Sequence, residues 1–541
     1  MTAATSTAIP AATPAAEAAA AAAVPPPARP AVGLGPKLGF LAMVVGMFMA
    51  ILDIQIVAAS LAEIQAGLAA SADEIIWVQN SYLIAEVIMI PLSGYLARAF
   101  GTRWTFVLSA GGFTLTSLLC AFATSMDQMI VFRALQGFVG GAMIPLVFAS
   151  AYTIFPRDKQ AGVTVVVGLV ATIAPTVGPT LGGWLTETLS WHWLFLVNVV
   201  PGAIVTAVVW ALIDIDRPQP HLIRSMDVPG LLMMALFLGS LDFVLEDGAR
   251  NDWFDDHHIL TFSIVAAVAG IGFFWRTLTA RNPIVDLTAF KDRNFATGCL
   301  FSFVLGISLY GLVYLQPQFL ARVRDLNALQ IGEVMFVTGL AQFLSAPIAG
   351  GLSRKVDPRL MLSIGFGLIA VSNIMLTNLT PESDYWELFL PQILRGMGFM
   401  FGIIPVNVLA LGTLPPEKLK NASGLYNLMR NLGGAFGLAG ITTVMTERSA
   451  FHWARLSEHV NPARPEVQGR IDALAARLAE QVPGIDGEVA AVKMIAGEVM
   501  RQVTVLTFID VFWLMSLVVG GAIAVVILAR KPDHAKSAGG H

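Results

Sequence analysis

Between Lys37 and Ala529 the sequence is divided into fourteen apolar runs, each close to the roughly 20 helical residues that cross a hydrocarbon core of about 30 Å. Lipid offers no partner for a free backbone N–H or C=O, so such runs are predicted to be helices. They lie at 38–60, 76–97, 104–123, 128–153, 161–185 and 193–213, then at 228–247, 258–278, 295–317, 331–352, 360–378, 387–412, 421–444 and 502–528. They are called spans 1 to 14 below. Composition agrees, with 56% of residues hydrophobic and 13% charged, about half the charged share of a soluble domain. The expected fold class is an all-α integral membrane protein. A net charge of −4 gives no basic field for nucleic acid, and Cys120 and Cys299 both sit inside apolar runs, so neither a disulfide framework nor a metal site is indicated.

Residues 1–36 are Ala, Pro and Thr around a single Arg29 and are expected to be a disordered tail; they lack the basic start and apolar core of a secretory signal. Lys and Arg concentrate in the loops after even-numbered spans, at Arg98, Arg103, Arg157, Lys159, Arg217, Arg224 and on to Lys418 and Lys420, with Arg530, Lys531 and Lys536 after span 14. The opposite short loops hold only Arg250, Arg322 and Arg324. Basic loops stay inside, which places both termini in the cytoplasm. The outer loop 445–501 is long and polar, with Arg477 and Glu480 interleaved among Ala and Leu, and reads as an amphipathic hairpin. It is either a solvated cap or a docking surface for a partner protein.

The chain repeats itself. Pro91, Gly94, Leu96 and Arg98 at the end of span 2 recur with the same spacing as Pro347, Gly350, Leu352 and Arg354 at the end of span 10, and Arg103 and Arg359 extend the match. Spans 4 and 12 each carry an arginine, Arg133 and Arg395, followed by glycines and a proline. Two six-helix halves with two inserted helices are expected, and a parallel repeat of this kind puts the binding site between the halves. The segments are a tail at 1–36, a first bundle at 37–214, an insert at 215–293, a second bundle at 294–530 and a tail at 531–541.

An ionisable side chain at mid-membrane depth costs at least about 2.5–3.5 kcal/mol, so each is a candidate for function. Asp53, Glu86, Arg133, Arg395, Arg430 and Asp510 fall within spans, and Glu333 near a span end. Asp53 beside Arg133 would form a pair in which protonation of the acid frees the arginine; a buried ion pair that only fixes helices is the other reading. Glu86, in Tyr82-Leu-Ile-Ala-Glu86, either takes a proton or faces a cationic cargo. Tyr82, Gln136, Arg395, Asn427 and Arg430 are candidates for the cavity or its gates, with packing an equal alternative for Arg430. Span 5 carries Pro175, Gly178, Pro179, Gly182 and Gly183, small residues that admit a close neighbour and prolines that bend the helix, the makings of a pliable seal. No catalytic cluster, phosphate-binding glycine loop or metal-ligand set stands out, which argues against an enzyme and against ATP as the energy source. No charged ring or filter loop suggests a channel.

With these residues the chain resembles the drug:proton antiporters of the major facilitator superfamily, in the fourteen-helix branch and within it the EmrB type. The resemblance rests on Arg133-Ala-Leu-Gln136-Gly137-Phe-Val-Gly140-Gly141, Gly178-Pro179-Thr-Leu-Gly182-Gly183, Trp191-His-Trp193-Leu-Phe195-Leu-Val-Asn198-Val-Val-Pro201-Gly202 and Leu52-Asp53-Ile-Gln-Ile56-Val57. It implies the major facilitator fold and export of lipophilic small molecules across the bacterial inner membrane. It implies the proton gradient rather than a cofactor as energy source, with Asp53 and Arg133 in proton coupling. It also implies a periplasmic adaptor and an outer-membrane channel of the TolC type as partners. A single-component exporter of a metabolite or fatty acid, or a non-transporting membrane receptor, is the alternative. The sequence departs from the family in two places. The family's loop after span 2 reads Gly-x-Leu-Ala-Asp-Arg-x-Gly, whereas Gly94-Tyr-Leu-Ala-Arg98-Ala-Phe-Gly101, followed by Arg103, has no acid. Gln55 and Ala58 replace the commoner Thr and Asn in span 1, which bears on what the cavity accepts.

Overall fold

The computed structural model describes residues 33–58, 60–71, 73–353, 355–461, 463–481 and 486–529. The two tails, apart from residues 33–36, and Arg354 of the repeat lie outside the described residues. Among the described residues the chain is built of helices and holds no strand. Thirteen helices among the described residues are long and apolar enough to cross a membrane. Span 13, the fourteenth expected crossing, lies within the 42-residue helix Pro416–Ser457. That helix falls short on apolarity because Asn421, Asn427, Arg430 and Asn431 occupy its buried stretch.

The helix starts are written locally. Ser125, Asp227, Asp256 and Asp357 each stand just before an apolar run and accept a backbone N–H of the first turn, while Asn327 with Gln330 and Asp384 with Glu387 form capping boxes on spans 10 and 12. Spans 2 and 3, helices Trp77–Phe100 and Thr102–Ala121, are joined by Gly101 alone, at φ +84°. A side chain would strain that turn.

Spans 1–6 pack among themselves, with span 2 against span 4, span 1 against span 5 and span 3 against spans 4 and 6. Spans 9–14 do likewise, with span 9 against span 13 and span 12 against spans 10 and 11. The halves meet along two seams, span 5 with span 10 and span 2 with span 13. The repeated glycines sit on these seams. A methyl group at Gly94 would lie 2.7 Å from the Lys420 carbonyl, and one at Gly350 would strike Val165. The inserted helices Val228–Asp247 and His257–Thr279 pair with each other, and the first of them packs against spans 2 and 13. On the second, Ile264, Val268, Ile271, Trp275 and Leu278 point outward as a stripe for lipid.

Residues 445–501 are not a loop between two spans. The helices of spans 13 and 14, Pro416–Ser457 and Gly487–Val525, continue through most of this region, and a separate helix Pro465–Gln481 packs on the second of them. Ile471, Ala491 and Ile495 make its small apolar core, and Arg470 meets Glu498 at 2.6 Å. Below, the end of the molecule carrying this hairpin is the hairpin face and the opposite end, with Arg98, Arg103 and Lys420, the basic face.

Candidate functional site: a buried carboxylate and a cavity between the halves

Arg133, Gly137 and Gly141 recur every four residues, so they share one face of span 4. Span 2 answers with the same interval. Arg133 Nε donates to the Val78 carbonyl at 3.0 Å, a side chain at Gly137 would strike the Tyr82 carbonyl, and a methyl at Gly141 would lie 2.9 Å from that of Glu86. The motif glycines thus bring the two backbones together and deliver the guanidinium to Asp53, whose Oδ2 accepts from it at 2.6 Å. Both side chains are 0% exposed. Asp53 Oδ1 accepts from Asn198 at 2.8 Å and from Gln136 at 3.2 Å. Gln136 also accepts from Arg133 at 2.7 Å, and Asn198 donates to Ser117 at 3.2 Å. The Arg133 guanidinium lies 4.3 Å from the centre of the Tyr82 ring, within reach of a cation–π attraction. Five helices, spans 1, 2, 3, 4 and 6, therefore converge on one carboxylate.

Among the described residues the second half has no such carboxylate. Arg395 donates to Gln316, to Thr338 at 2.6 Å and to Gln392 at 3.4 Å. All of these partners are neutral, and among the described residues no acid pairs with it. Arg430 donates to Asn427 at 2.7 Å and stands 5.4 Å from the Phe148 ring centre. Asp510 takes Arg448 at 2.5 Å and His452 at 2.7 Å, tying spans 13 and 14 near the hairpin, and Glu333 is exposed.

A cavity of about 240 Å³ opens between the halves. Gln55 and Ala58, the two departures in span 1, line it with Glu86 and Pro179. Tyr82, Gln136, Arg395, Asn427 and Arg430 do not line this cavity: Tyr82 and Gln136 belong to the Asp53 cluster, and the three others stand on spans 12 and 13, with Arg430 beside Phe148 of span 4. Asp242 and Glu246 of span 7 do line it. They are not among the candidates drawn from the sequence, although two acids one helical turn apart in an apolar run are a legible signal. The small residues of span 5 pack tightly here. Span 5, helix Arg157–Thr188, runs unbroken through Pro175 and Pro179. A methyl at Gly182 would lie 2.7 Å from the Ile56 carbonyl, and one at Gly178 would strike Gln55. Gly183 stands on the same helix and is buried.

The family model described as Major Facilitator Superfamily matches residues 43–438. The chain belongs to the major facilitator superfamily. It is 42% identical over 479 residues to the colistin resistance protein EmrB of Acinetobacter baumannii, covering 88% of this chain and 93% of that one. It is 30% identical to the multidrug export protein EmrB of Escherichia coli K12, covering 95% and 99%. The solved proton:xylose symporter XylE shares the fold, with a TM-score of 0.55 at 12% identity over 89% of this chain and 94% of that one.

The acid missing from this major facilitator chain's loop after span 2 has a counterpart in the linker after span 6. Asp216 accepts from the backbone N–H and hydroxyl of Thr102 at 2.9 and 3.0 Å and forms an ion pair with Lys420 at the start of span 13. Lys420 also donates to the Ala97 carbonyl at 2.9 Å, and nearby Ser423 donates to the Pro145 carbonyl at 2.5 Å. Arg103 turns to Ile213 and Asp214, and Arg98 stacks over Tyr95. Lys420 and Ser423 thus tie span 13 to the first half and its linker at the basic face. Asp216→Asn removes the ion pair, and for a partly buried pair of about 1 kcal/mol the open population should rise roughly fivefold. A cysteine placed at Ser423 in a background lacking Cys120 and Cys299 reports this as faster modification by a membrane-impermeant thiol reagent; an unchanged rate would show that the pair does not hold the face shut.

Proposed function

We propose that this chain is a proton-driven exporter of lipophilic small molecules that works by alternating access in the bacterial inner membrane, with both termini and the basic face in the cytoplasm. The observation that carries the reading is the position of Asp53. It is sealed within the first half, yet Ile54 and Gln55 beside it line the cavity. Its partner Arg133 holds the Val78 carbonyl and the Tyr82 ring of span 2, one turn from the cavity wall at Glu86. Protonation of Asp53 cancels the charge that keeps Arg133 in place, so proton occupancy and the shape of span 2 are linked. Proton flow inward through this pair would drive cargo outward.

Names of relatives as a multidrug export protein and a colistin resistance protein support drugs as cargo. The excess of Lys and Arg on the basic face supports the orientation. The test is uptake by inverted vesicles with an acid interior. Gradient-driven accumulation of lipophilic compounds is expected, and a panel of cationic, neutral and anionic compounds that all fail to accumulate would refute export.

The hairpin above the membrane supports a tripartite assembly with a periplasmic adaptor and an outer-membrane channel of the TolC type. Its helix Pro465–Gln481 packs through a small core of its own, which leaves the polar side outward. Removing residues 462–486 is expected to spare transport in isolated vesicles and to abolish drug resistance in cells. Equal resistance would point to a single-component exporter.

A further inference from the structure

Spans 7 and 8 stand outside the repeat, and nothing in a two-fold scheme requires them near the centre. Span 7 nevertheless forms the wall where the halves meet. At its end Asp247 accepts from Asn80 of span 2 at 3.2 Å. Just beyond, the Trp253 indole donates to Thr443 of span 13 at 3.0 Å, and Leu245 packs on Ala435 and Ala439. The same helix brings Asp242 and Glu246 to the cavity, which Glu86 of span 2 also lines.

Two of these acids have no hydrogen-bond partner on one oxygen. Glu86 Oε1 and Asp242 Oδ2 are buried and unpartnered, on side chains 1% and 5% exposed. A polar atom in that condition carries a cost unless something fills the space beside it. Among the described residues the cavity lining contains no Lys, Arg or His. Arg133 and Arg430 act on Glu86 electrostatically, but Arg133 is committed to Asp53, Val78 and Gln136 and Arg430 donates to Asn427. Neither makes an ion pair with the cavity acids among the described residues. Nor do the carboxylates converge on a point, since no group of three or more His, Cys, Asp or Glu among the described residues could hold a metal ion. Charge spread along a wall suits an extended cation, and Tyr310 and Tyr314 on the same lining add aromatic rings, which attract cations.

We propose that Asp242 and Glu246 of span 7 form, with Glu86 of span 2, a subsite for the positively charged part of a lipophilic organic cation. The inserted pair thereby sets the sign of charge that the cavity accepts. This deepens the export reading, and its test needs no gradient, so the two can fail separately.

The probes are tetraphenylphosphonium and tetraphenylborate, nearly equal in size and opposite in charge. Equilibrium binding is measured on the full chain in nanodiscs of zwitterionic lipid. Wild-type protein should prefer the cation. The Asp242→Asn, Glu246→Gln double variant should bind it at least tenfold more weakly, about 1.4 kcal/mol, with no loss for the anion. The charge-keeping pair Asp242→Glu, Glu246→Asp should stay within roughly threefold of wild type, which separates charge from packing. Equal wild-type affinity for both ions, an unchanged double variant, or equal loss of both ions would each overturn the subsite. Charge-dependent binding without gradient-driven transport would leave the subsite standing and remove the export reading instead.

Discussion

Asp53→Asn should reduce gradient-driven accumulation in inverted vesicles to the level of vesicles without the protein, while leaving the chain folded and cargo binding within a few-fold of wild type. The geometry specifies why. Asp53 Oδ1 accepts from two amides, Asn198 and Gln136, and Oδ2 accepts from Arg133. An asparagine can present its oxygen to the two amides, but its NH₂ must then face the guanidinium, donor against donor. That is the hydrogen-bonding pattern of a permanently neutral Asp53, with Arg133 released and no proton to surrender. A carrier held in one protonation state can still bind cargo and exchange it down its own gradient. It cannot couple that movement to protons. Exchange of labelled for unlabelled cargo at equal pH should therefore persist in the variant when net, pH-driven accumulation is gone. Full coupling in Asp53→Asn would take Asp53 out of the proton path and leave the pair as packing. Loss of both activities together with an aggregated protein would mean that the carboxylate is needed to assemble the first half.

How far the sequence foretold this site depends on the distance each residue had to be carried. Runs of about 20 apolar residues are a local signal and were sufficient for the helices. The equal spacing of Pro91–Arg98 and Pro347–Arg354 was enough to pair the halves. Asp53 and Arg133 could be matched because each is a charge that lipid will not tolerate alone. Asn198 and Ser117 could not, since neutral polar residues are common in membrane helices and nothing in their neighbourhoods says which partner they reach. Asp216 lay in a linker, where an acid is unremarkable until the fold sets Lys420 against it, 204 residues away. Asp242 and Glu246 were hidden for another reason: the repeat assigns counterparts to spans 1–6 and 9–14 only, so an inserted helix inherits no place from symmetry. The repeat misled at one point as well. It makes Arg395 the twin of Arg133, but the side chain that meets it from span 9 is Gln316, an amide that does not titrate.

That asymmetry separates the two arginines in a stability measurement. Arg133→Ala leaves Asp53 buried with two amides and no cation, and stranding one member of a buried pair costs about 3–5 kcal/mol. The Val78 carbonyl also loses its donor and Tyr82 its cation. A marked fall in thermal stability is expected, together with loss of gradient-driven transport. Adding Asp53→Asn to Arg133→Ala removes the stranded charge and should recover most of the lost stability, while transport stays uncoupled because neither half of the switch remains. Arg395→Ala strands only neutral groups on Gln316, Thr338 and Gln392, so it should cost less, and Gln316→Ala added to it should restore little. The two double-mutant cycles, read by thermal unfolding in detergent, should give a large coupling energy for Asp53 with Arg133 and a small one for Gln316 with Arg395. Wild-type stability and turnover in Arg133→Ala would contradict the charge argument at its source. Equal coupling in both halves would mean that the contacts of each arginine, rather than the titratable acid beside one of them, set the energetics of the site.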